Sequence, residues 1–310
     1  MKDFKKIIRP LLGLFILVLI FFSIVSLVTI FPSKGFAKRW EFKKIYTKAL
    51  EEEKRGSLGK AIEYLEKIDD SFGKDKKIYN AWFKLALLYE KANRFLEAKK
   101  LLEKIILESG TGDIIKKAQE ELGKLNIKII FSPLVTENAF LYEVKEGDSL
   151  IKIAQRFNTT VELIRKANNL KEDAFLRPGM KLKITKEKFS VLVDKSQNTL
   201  TLKADDRVVK VYTVSTGLNN ITPVGTFKII NKITKPVWYK DGKVISPDDP
   251  ENILGSHWLG ISERGYGIHG TTQPETIGKH VTQGCVRMYN HDVEELYIIL
   301  PIGTEVTIME

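Results

Sequence analysis

Residues 11–31, LLGLFILVLIFFSIVSLVTIF, run for 21 positions without a charge. About 20 helical residues cross the hydrocarbon core of a bilayer, so this run is expected to form a transmembrane helix. Lys2, Lys5, Lys6 and Arg9 precede it, which favours an N-terminus left in the cytoplasm and export of the remainder. Lys34, Lys38 and Arg39 on the far side weaken that asymmetry. A cleaved signal peptide is the competing reading, because Gly35 and Ala37 around Phe36 resemble a cleavage site. Signal-peptide cores, however, run only about 7–15 residues. A buried core helix would carry polar punctuation that this run lacks. The expectation is a tail and membrane anchor over residues 1–39, a single pass, with residues 40–310 outside the cytoplasm.

A chain of 310 residues has room for two or three modules. Its net charge of +11 is uneven. Residues 1–140 hold 27 basic and 18 acidic side chains, 141–185 hold 9 and 6, and 189–310 hold 12 and 14. A nucleic-acid enzyme would carry its basic surface on its catalytic part, and here that part is slightly acidic, so no nucleic-acid partner is expected. The only cysteine is Cys285, which excludes an intrachain disulfide and a thiolate metal cluster.

Residues 40–128 are rich in Lys, Glu, Leu and Ala at helical spacing. Trp82, Leu85, Ala86, Tyr89, Ala98 and Leu102 fall at the offsets of the two helices of a tetratricopeptide repeat, which this stretch resembles. Ala61 and Leu65 lie 37 residues before Ala98 and Leu102 as a weaker copy, and 114–125 reads as a further helix. Two repeats are few for a free-standing solenoid. A partner-docking surface and a spacer lifting the remainder off the membrane both fit.

Residues 141–185 order as strand, helix, helix, strand. Tyr142 and Val144 begin a strand, and Gly147-Asp148-Ser149 turns the chain, with Asp148 as the expected N-cap. Leu150, Ile153, Ala154 and Phe157 form one helical face. Thr159 and Glu162 fit a capping box before a second face of Val161, Ile164 and Ala167. Pro178-Gly179 turns into the strand 181–184. The set GDSLxxIA, NxL and LxPGxxLxI resembles a LysM domain, which implies binding of N-acetylglucosamine-containing glycans, chiefly peptidoglycan, beside the turns.

From Phe189 the apolar period changes to two: Val191/Val193, Leu200/Leu202 and Val209/Val211 alternate with polar neighbours. Further strands are expected at 226–230, 258–262, 266–269 and 305–309, with one helix at 292–300 and Asn290 or His291 near its start. Residues 189–310 therefore read as a mainly-β barrel or sandwich. Cys285 lies in Thr282-Gln283-Gly284-Cys285-Val286-Arg287-Met288, sixteen residues after Gly267-Ile268-His269-Gly270. A nucleophilic thiol needs a histidine to take its proton or hold its thiolate. It also needs backbone N–H groups for an oxyanion. Gly284 and Cys285 offer those donors. Taken alone, the pair is equally consistent with an inert buried thiol.

The ordered set Thr222-Pro223-x-Gly225-x-Phe227, Ile268-His269-Gly270, Thr282-x-Gly284-Cys285-Val286-Arg287-Met288 and Asn290-x-Asp292 resembles the L,D-transpeptidase catalytic domain of the YkuD type over 189–310. That resemblance implies Cys285 as nucleophile, His269 as base and later acid, and the Gly270 carbonyl as the group orienting the imidazole. It also implies Gly284 and Cys285 as the oxyanion hole and Arg287 as a residue that binds or organises the anionic stem peptide. Trp238 and Tyr239 lie in a Pro-, Asp- and Gly-rich insertion, 235–252, expected to form a lid over the substrate. Many family members carry a second histidine where this chain has Gln283, so the acid–base work is assigned to His269 alone. A zinc site from Cys285, His269, His280 and His291 lacks close ligand spacing, and no metal or cofactor is expected. His257 is expected to pack on a strand or line the cleft edge, and His291 to cap the last helix.

The expected whole is a multidomain cell-wall enzyme: transmembrane helix, α-helical repeat region, small α+β LysM module and mainly-β L,D-transpeptidase domain. It would cleave a tetrapeptide stem after its third residue and pass the acyl group to an amine through a cysteine thioester. Hydrolysis by an L,D-carboxypeptidase on the same scaffold and a non-catalytic wall-binding scaffold are the rivals.

Overall fold

A computed structural model describes residues 34–68, 72–73, 76–110, 112–240 and 242–310. The uncharged run 11–31 lies outside them. Among the described residues, no helix is long and apolar enough to cross a membrane. The chain divides into two compact units, with the boundary at Ile115.

The first unit is helical. It holds α1 (Lys34–Lys54), α2 (Leu58–Glu66), α3 (Lys76–Lys91) and α4 (Phe95–Glu108), each packed on the next. α1 starts before residue 40, where the helical region was expected to begin. Small residues let the helices approach: Ala61, Ala86 and Ala98 are buried, as are Leu65, Leu85, Tyr89 and Leu102. Trp82 is buried as well, and its indole N–H donates to Ile68 O at 2.7 Å, so the large ring leaves no orphaned donor.

The second unit begins within the first turn of α5 (Asp113–Ile130). A small module follows, with β1 (Ala139–Glu143), α6 (Leu150–Arg156), α7 (Val161–Ala167) and β2 (Lys181–Thr185). β1 and β2 pair antiparallel, Tyr142 opposite Leu182. Tyr142, Val144, Leu150, Ile153, Ala154, Ile164, Leu182 and Ile184 form its core.

Both expected caps move by one residue. Ser149, extended at φ −135°, caps α6 by accepting from Lys152 N. The Asp148 carboxylate is already committed to the Lys145 N–H (2.9 Å) and the Tyr142 hydroxyl (2.7 Å). Thr160, not Thr159, caps α7 by accepting from Leu163 N at 2.9 Å. Glu162 is then the second helical residue, and no capping box forms. The helix turns correspondingly: Leu163 is buried where Val161 is only partly so.

Leu163 and Ile127 of α5 belong to the core of the remaining β-rich part. The Thr160 hydroxyl donates to Ile298 O, and Asn126 Nδ2 donates to Val209 O at 2.9 Å. The buried Lys183 ammonium donates to Ser132 O (2.7 Å), Ile129 O (2.8 Å) and Ile130 O (3.3 Å) at the end of α5. A cation on helix-terminal carbonyls satisfies groups with no intrahelical partner. The small module is thereby fastened to α5 and to the β-rich part.

That part contains β3 (Phe189–Asp194), β4 (Thr199–Ala204), β5 (Arg207–Thr213), β6 (Thr216–Gly217), β7 (Gly225–Thr234), β8 (Trp238–Lys240), β9 (Lys243–Ile245), β10 (His257–Ile261), β11 (Gly267–His269), β12 (His280–Thr282), β13 (Val286–Arg287), α8 (Asn290–Ile299) and β14 (Glu305–Met309). Eight strands form one sheet in the order β13-β11-β10-β7-β14-β3-β4-β5. β3/β14 and β11/β13 are parallel and the other pairs antiparallel. Ser215, two residues past edge strand β5, exchanges backbone bonds of 2.8 and 2.9 Å with Arg287 on the opposite edge, so the sheet closes on itself. Val191, Val193, Leu200 and Leu202 point inward with Val293, Leu296 and Ile299 of α8. Val211 does not follow Val209. A bulge opposite Leu202/Lys203 adds one residue to β5, which exposes Val211 and buries Tyr212.

Candidate active site

His269 ends β11 and Arg287 lies beside it in register on β13. Cys285 immediately precedes β13, two residues before Arg287, so two adjacent parallel strands bring thiol and imidazole close together. His269, Cys285, Arg287, Gln283 and Trp238 line one cleft of about 600 Å³.

The imidazole is 3% exposed, and Trp258 stacks on it with ring centroids 5.9 Å apart and planes 18° off parallel. Nδ1 lies 2.7 Å from Gly270 O. A carbonyl can only accept, so Nδ1 carries the proton of the neutral ring and Nε2 is left as the base. Burial pushes the imidazole down to about 4, outweighing the bond to Gly270; the Arg287 charge acts in the same downward direction. The Cys285 thiol is pushed up, again chiefly by burial, against opposing effects of the Gly267 amide and Arg287. Its sulfur lies 3.7 Å from Gly265 O. Both shifts favour the neutral thiol and imidazole over an ion pair.

Gly284 has φ +112°, a region that favours glycine, and a Cβ there would lie 2.5 Å from the Tyr266 ring. Its N–H donates to Thr282 Oγ1 at 3.2 Å, while the Thr282 hydroxyl donates to Cys285 O at 2.6 Å. The Cys285 N–H has no acceptor among the described residues. Of the two expected oxyanion donors, one is free at rest and the other is held by Thr282. That hydroxyl was missed, although a threonine two residues before Gly-Cys is a recognisable turn signal.

Arg287 is buried with no carboxylate in hydrogen-bonding contact among the described residues. Nη1 donates to Thr276 Oγ1 (2.9 Å) and Gln273 Oε1 (3.2 Å), and Nε has no partner. The insertion 235–252 contains the hairpin β8–β9, pinned at its base by Asn252, whose buried amide donates to Pro236 O, Ser246 O and Ile245 O. Trp238 and Lys240 line the cleft, but Tyr239 does not. It is 76% exposed, because alternate strand residues face opposite ways. His257 packs at a tilt against Tyr297 outside the cleft lining, and His280 bonds Thr216 and Asn198. His291 does not cap α8: the N-cap is Tyr289, on whose ring the exposed His291 stacks. Among the described residues, no three of His, Cys, Asp and Glu gather as a metal site.

Residues 188–308 match the YkuD L,D-transpeptidase catalytic domain, and 142–185 match the LysM domain. A putative L,D-transpeptidase YkuD of Bacillus subtilis strain 168 is 36% identical over 174 residues, 54% of this chain and 97% of that protein. The chain belongs to the YkuD-type L,D-transpeptidase family. It is an L,D-transpeptidase with a LysM domain packed beside its catalytic domain. The putative L,D-transpeptidase YqjB of the same organism is 40% identical over 126 residues, covering 39% of this chain and 70% of that one. Among solved structures, an L,D-transpeptidase from Mycobacterium tuberculosis H37Rv aligns with TM-score 0.35 at 21% identity, over 43% of this chain and 63% of that chain. The catalytic domain from E. faecium aligns at TM-score 0.34 and 23% identity, over 40% and 98%.

Proposed function

We propose that this L,D-transpeptidase acts on peptidoglycan through a Cys285 thioester. The carrying observation is a buried imidazole, its Nδ1 held 2.7 Å from Gly270 O, sharing a cleft with the chain's only thiol. His269 Nε2 takes the thiol proton as sulfur attacks the carbonyl of the third residue of a tetrapeptide stem. The Cys285 and Gly284 N–H groups hold the oxyanion, the latter after leaving Thr282. Collapse breaks the peptide bond, and His269 gives its proton to the departing D-alanine amine. An acceptor amine then attacks the thioester, loses a proton to His269 and releases the product, and the thiol is restored. The buried guanidinium of Arg287 suits a carboxylate of the stem, and Trp238 suits its apolar flank. Water as acceptor gives the carboxypeptidase outcome.

Purified wall fragments incubated with the protein should yield cross-linked dimers by mass spectrometry, and Cys285→Ala should yield none. Trimmed tripeptides alone would replace transfer by hydrolysis. Dimers formed by Cys285→Ala would refute the thioester.

The LysM domain is assigned to the glycan strands, and the run 11–31 to a single-pass anchor that leaves the catalytic domain outside the cytoplasm. Protease added to wall-stripped cells should digest the C-terminal part. Full protection would reverse the orientation. The helical unit, with its tetratricopeptide-like spacing, is assigned to a protein partner or to spacing.

A further inference from the structure

Asn290, the first residue of α8, is open to solvent, yet its carboxamide makes three backbone hydrogen bonds. Oδ1 accepts from Thr271 N (2.9 Å) and Ser256 N (3.1 Å), and Nδ2 donates to Thr271 O (2.9 Å). The Thr271 N–H and the Gly270 carbonyl are the two ends of one peptide group. Its oxygen accepts from His269 Nδ1 at 2.7 Å, and its nitrogen donates to Asn290. The chain of bonds thus runs from imidazole through a single amide plane to a side chain on another element. An amide whose N–H is bonded is a stronger acceptor at its oxygen, so the two bonds reinforce each other. Space is reserved for this contact: a Cβ at Gly270 would lie 2.1 Å from Asn290 Oδ1, and one at Gly255 2.3 Å from it. Both glycines admit the carboxamide, beyond any need for backbone freedom.

We infer that Asn290 is a positioning residue that holds His269 in its Nδ1–H tautomer by fixing the Gly270–Thr271 peptide. It touches neither thiol nor substrate. The role rests on His269 being the base, since only then does the tautomer matter to the rate. A peptide free to tilt lengthens the Nδ1 bond and lets the proton move to Nε2, where the ring is no longer a base toward sulfur.

The test uses the full-length protein, labelled with ¹⁵N only at its four histidines. D-Alanine release from a soluble tetrapeptide stem gives kcat and KM, and nitrogen shifts give the His269 tautomer. Asn290→Ala should lower kcat by about 10- to 100-fold, the scale for loss of orientation, and leave KM within about twofold. His269 should become a mixture of tautomers. Asn290→Asp keeps an acceptor for Thr271 N–H but sets its second oxygen against Thr271 O, so it should keep the Nδ1–H form and recover only part of the loss. Wild-type kcat in Asn290→Ala would overturn the inference, as would reduced kcat with the tautomer unchanged. If Asn290→Ala does not fold, a mixed tautomer in folded Asn290→Asp overturns it. His269→Ala separates the two claims. If that variant stays active, the base assignment falls and this role with it. If it is inactive while Asn290→Ala is normal, only the role of Asn290 falls.

Discussion

Lowering the pH from 7 to 4 should load protons onto the unfolded chain that His269 refuses in the folded one. Burial under Trp258 holds the ring at about 4, against an ordinary value of 6.5. The folded value is the lower one, so the stability this group contributes is complete above pH 6.5 and is lost as pH falls toward 4. Each unit is worth about 1.4 kcal/mol, so the loss is about 1.4 kcal/mol at pH 5.5 and about 2.5 kcal/mol at pH 4.5. Denaturant unfolding of wild type and His269→Gln at pH 7, 5.5 and 4.5 isolates it, because other titrating groups cancel in the difference. The stability advantage of wild type over the variant should shrink by those amounts. The acid limb of kcat/KM should lie near pH 4, since Nε2 stays unprotonated until then. A difference that is flat with pH, with an acid limb near 6.5, would mean the ring is solvated. An advantage that grows on acidification would mean a thiolate–imidazolium pair, and would refute the neutral resting site.

Cys285 should be a poor nucleophile at rest: with its thiol pushed above the ordinary value of 9.0, iodoacetamide at pH 7 should label it more slowly than a small free thiol, gaining nearly tenfold per pH unit between pH 7 and 8. Rapid labelling at pH 6, followed by intact mass, would contradict this. Gly284→Ala faces both a φ of +112° and the Tyr266 ring, so kcat should fall about 100-fold or more and should not return in Gly284→Ala/Tyr266→Ala. Deleting residues 139–185 should lower Tm and weaken action on short soluble stems as well as on wall polymer, because Leu163 belongs to the catalytic core. Undiminished turnover of the soluble stem by the deletion protein would show the two parts to be independent.

The strands β3 and β4 of the large sheet were legible because their core faces alternate simply: Val191/Val193 and Leu200/Leu202 read directly from a period of two. Val211 misled because a bulge inserts one residue, and nothing in the apolar pattern marks it. The caps misled for a different reason. Asp148 and Thr159 are good capping residues beside equally good ones, and at Asp148 the choice was made by the Tyr142 hydroxyl and the Lys145 N–H. Cys285, His269, Gly270, Gly284 and Arg287 could be nominated from short motifs, whereas Tyr239 was named only for its place in the insertion. Least legible were the roles of Thr282, Asn252 and Asn290, whose partners are backbone groups, although Thr282 and Asn290 stand within the motifs. A side chain that bonds main chain leaves no complementary residue in the sequence to pair it with.

Flexible tethering would let a LysM domain raise the local concentration of wall peptide by keeping the enzyme near it. From α5 onward the contacts describe a different arrangement. Leu163 of α7 is buried with Val293 and Leu296 of α8 in one core, and burial of such a side chain contributes about 2 kcal/mol. Lys183 fixes β2 to the end of α5, and Asn126 fixes α5 to β5. Swinging the LysM domain away would expose that apolar surface and strand the carbonyls of Ile129 and Ser132. The glycan surface and the cleft therefore keep a set spacing and direction. On the proposed function, a strand held by the LysM domain would present its stem peptides at intervals along its length, and only those reaching the cleft at that spacing would be attacked. Affinity for the polymer and choice among its stems would then be one property of a single body, which a longer or looser linker would separate.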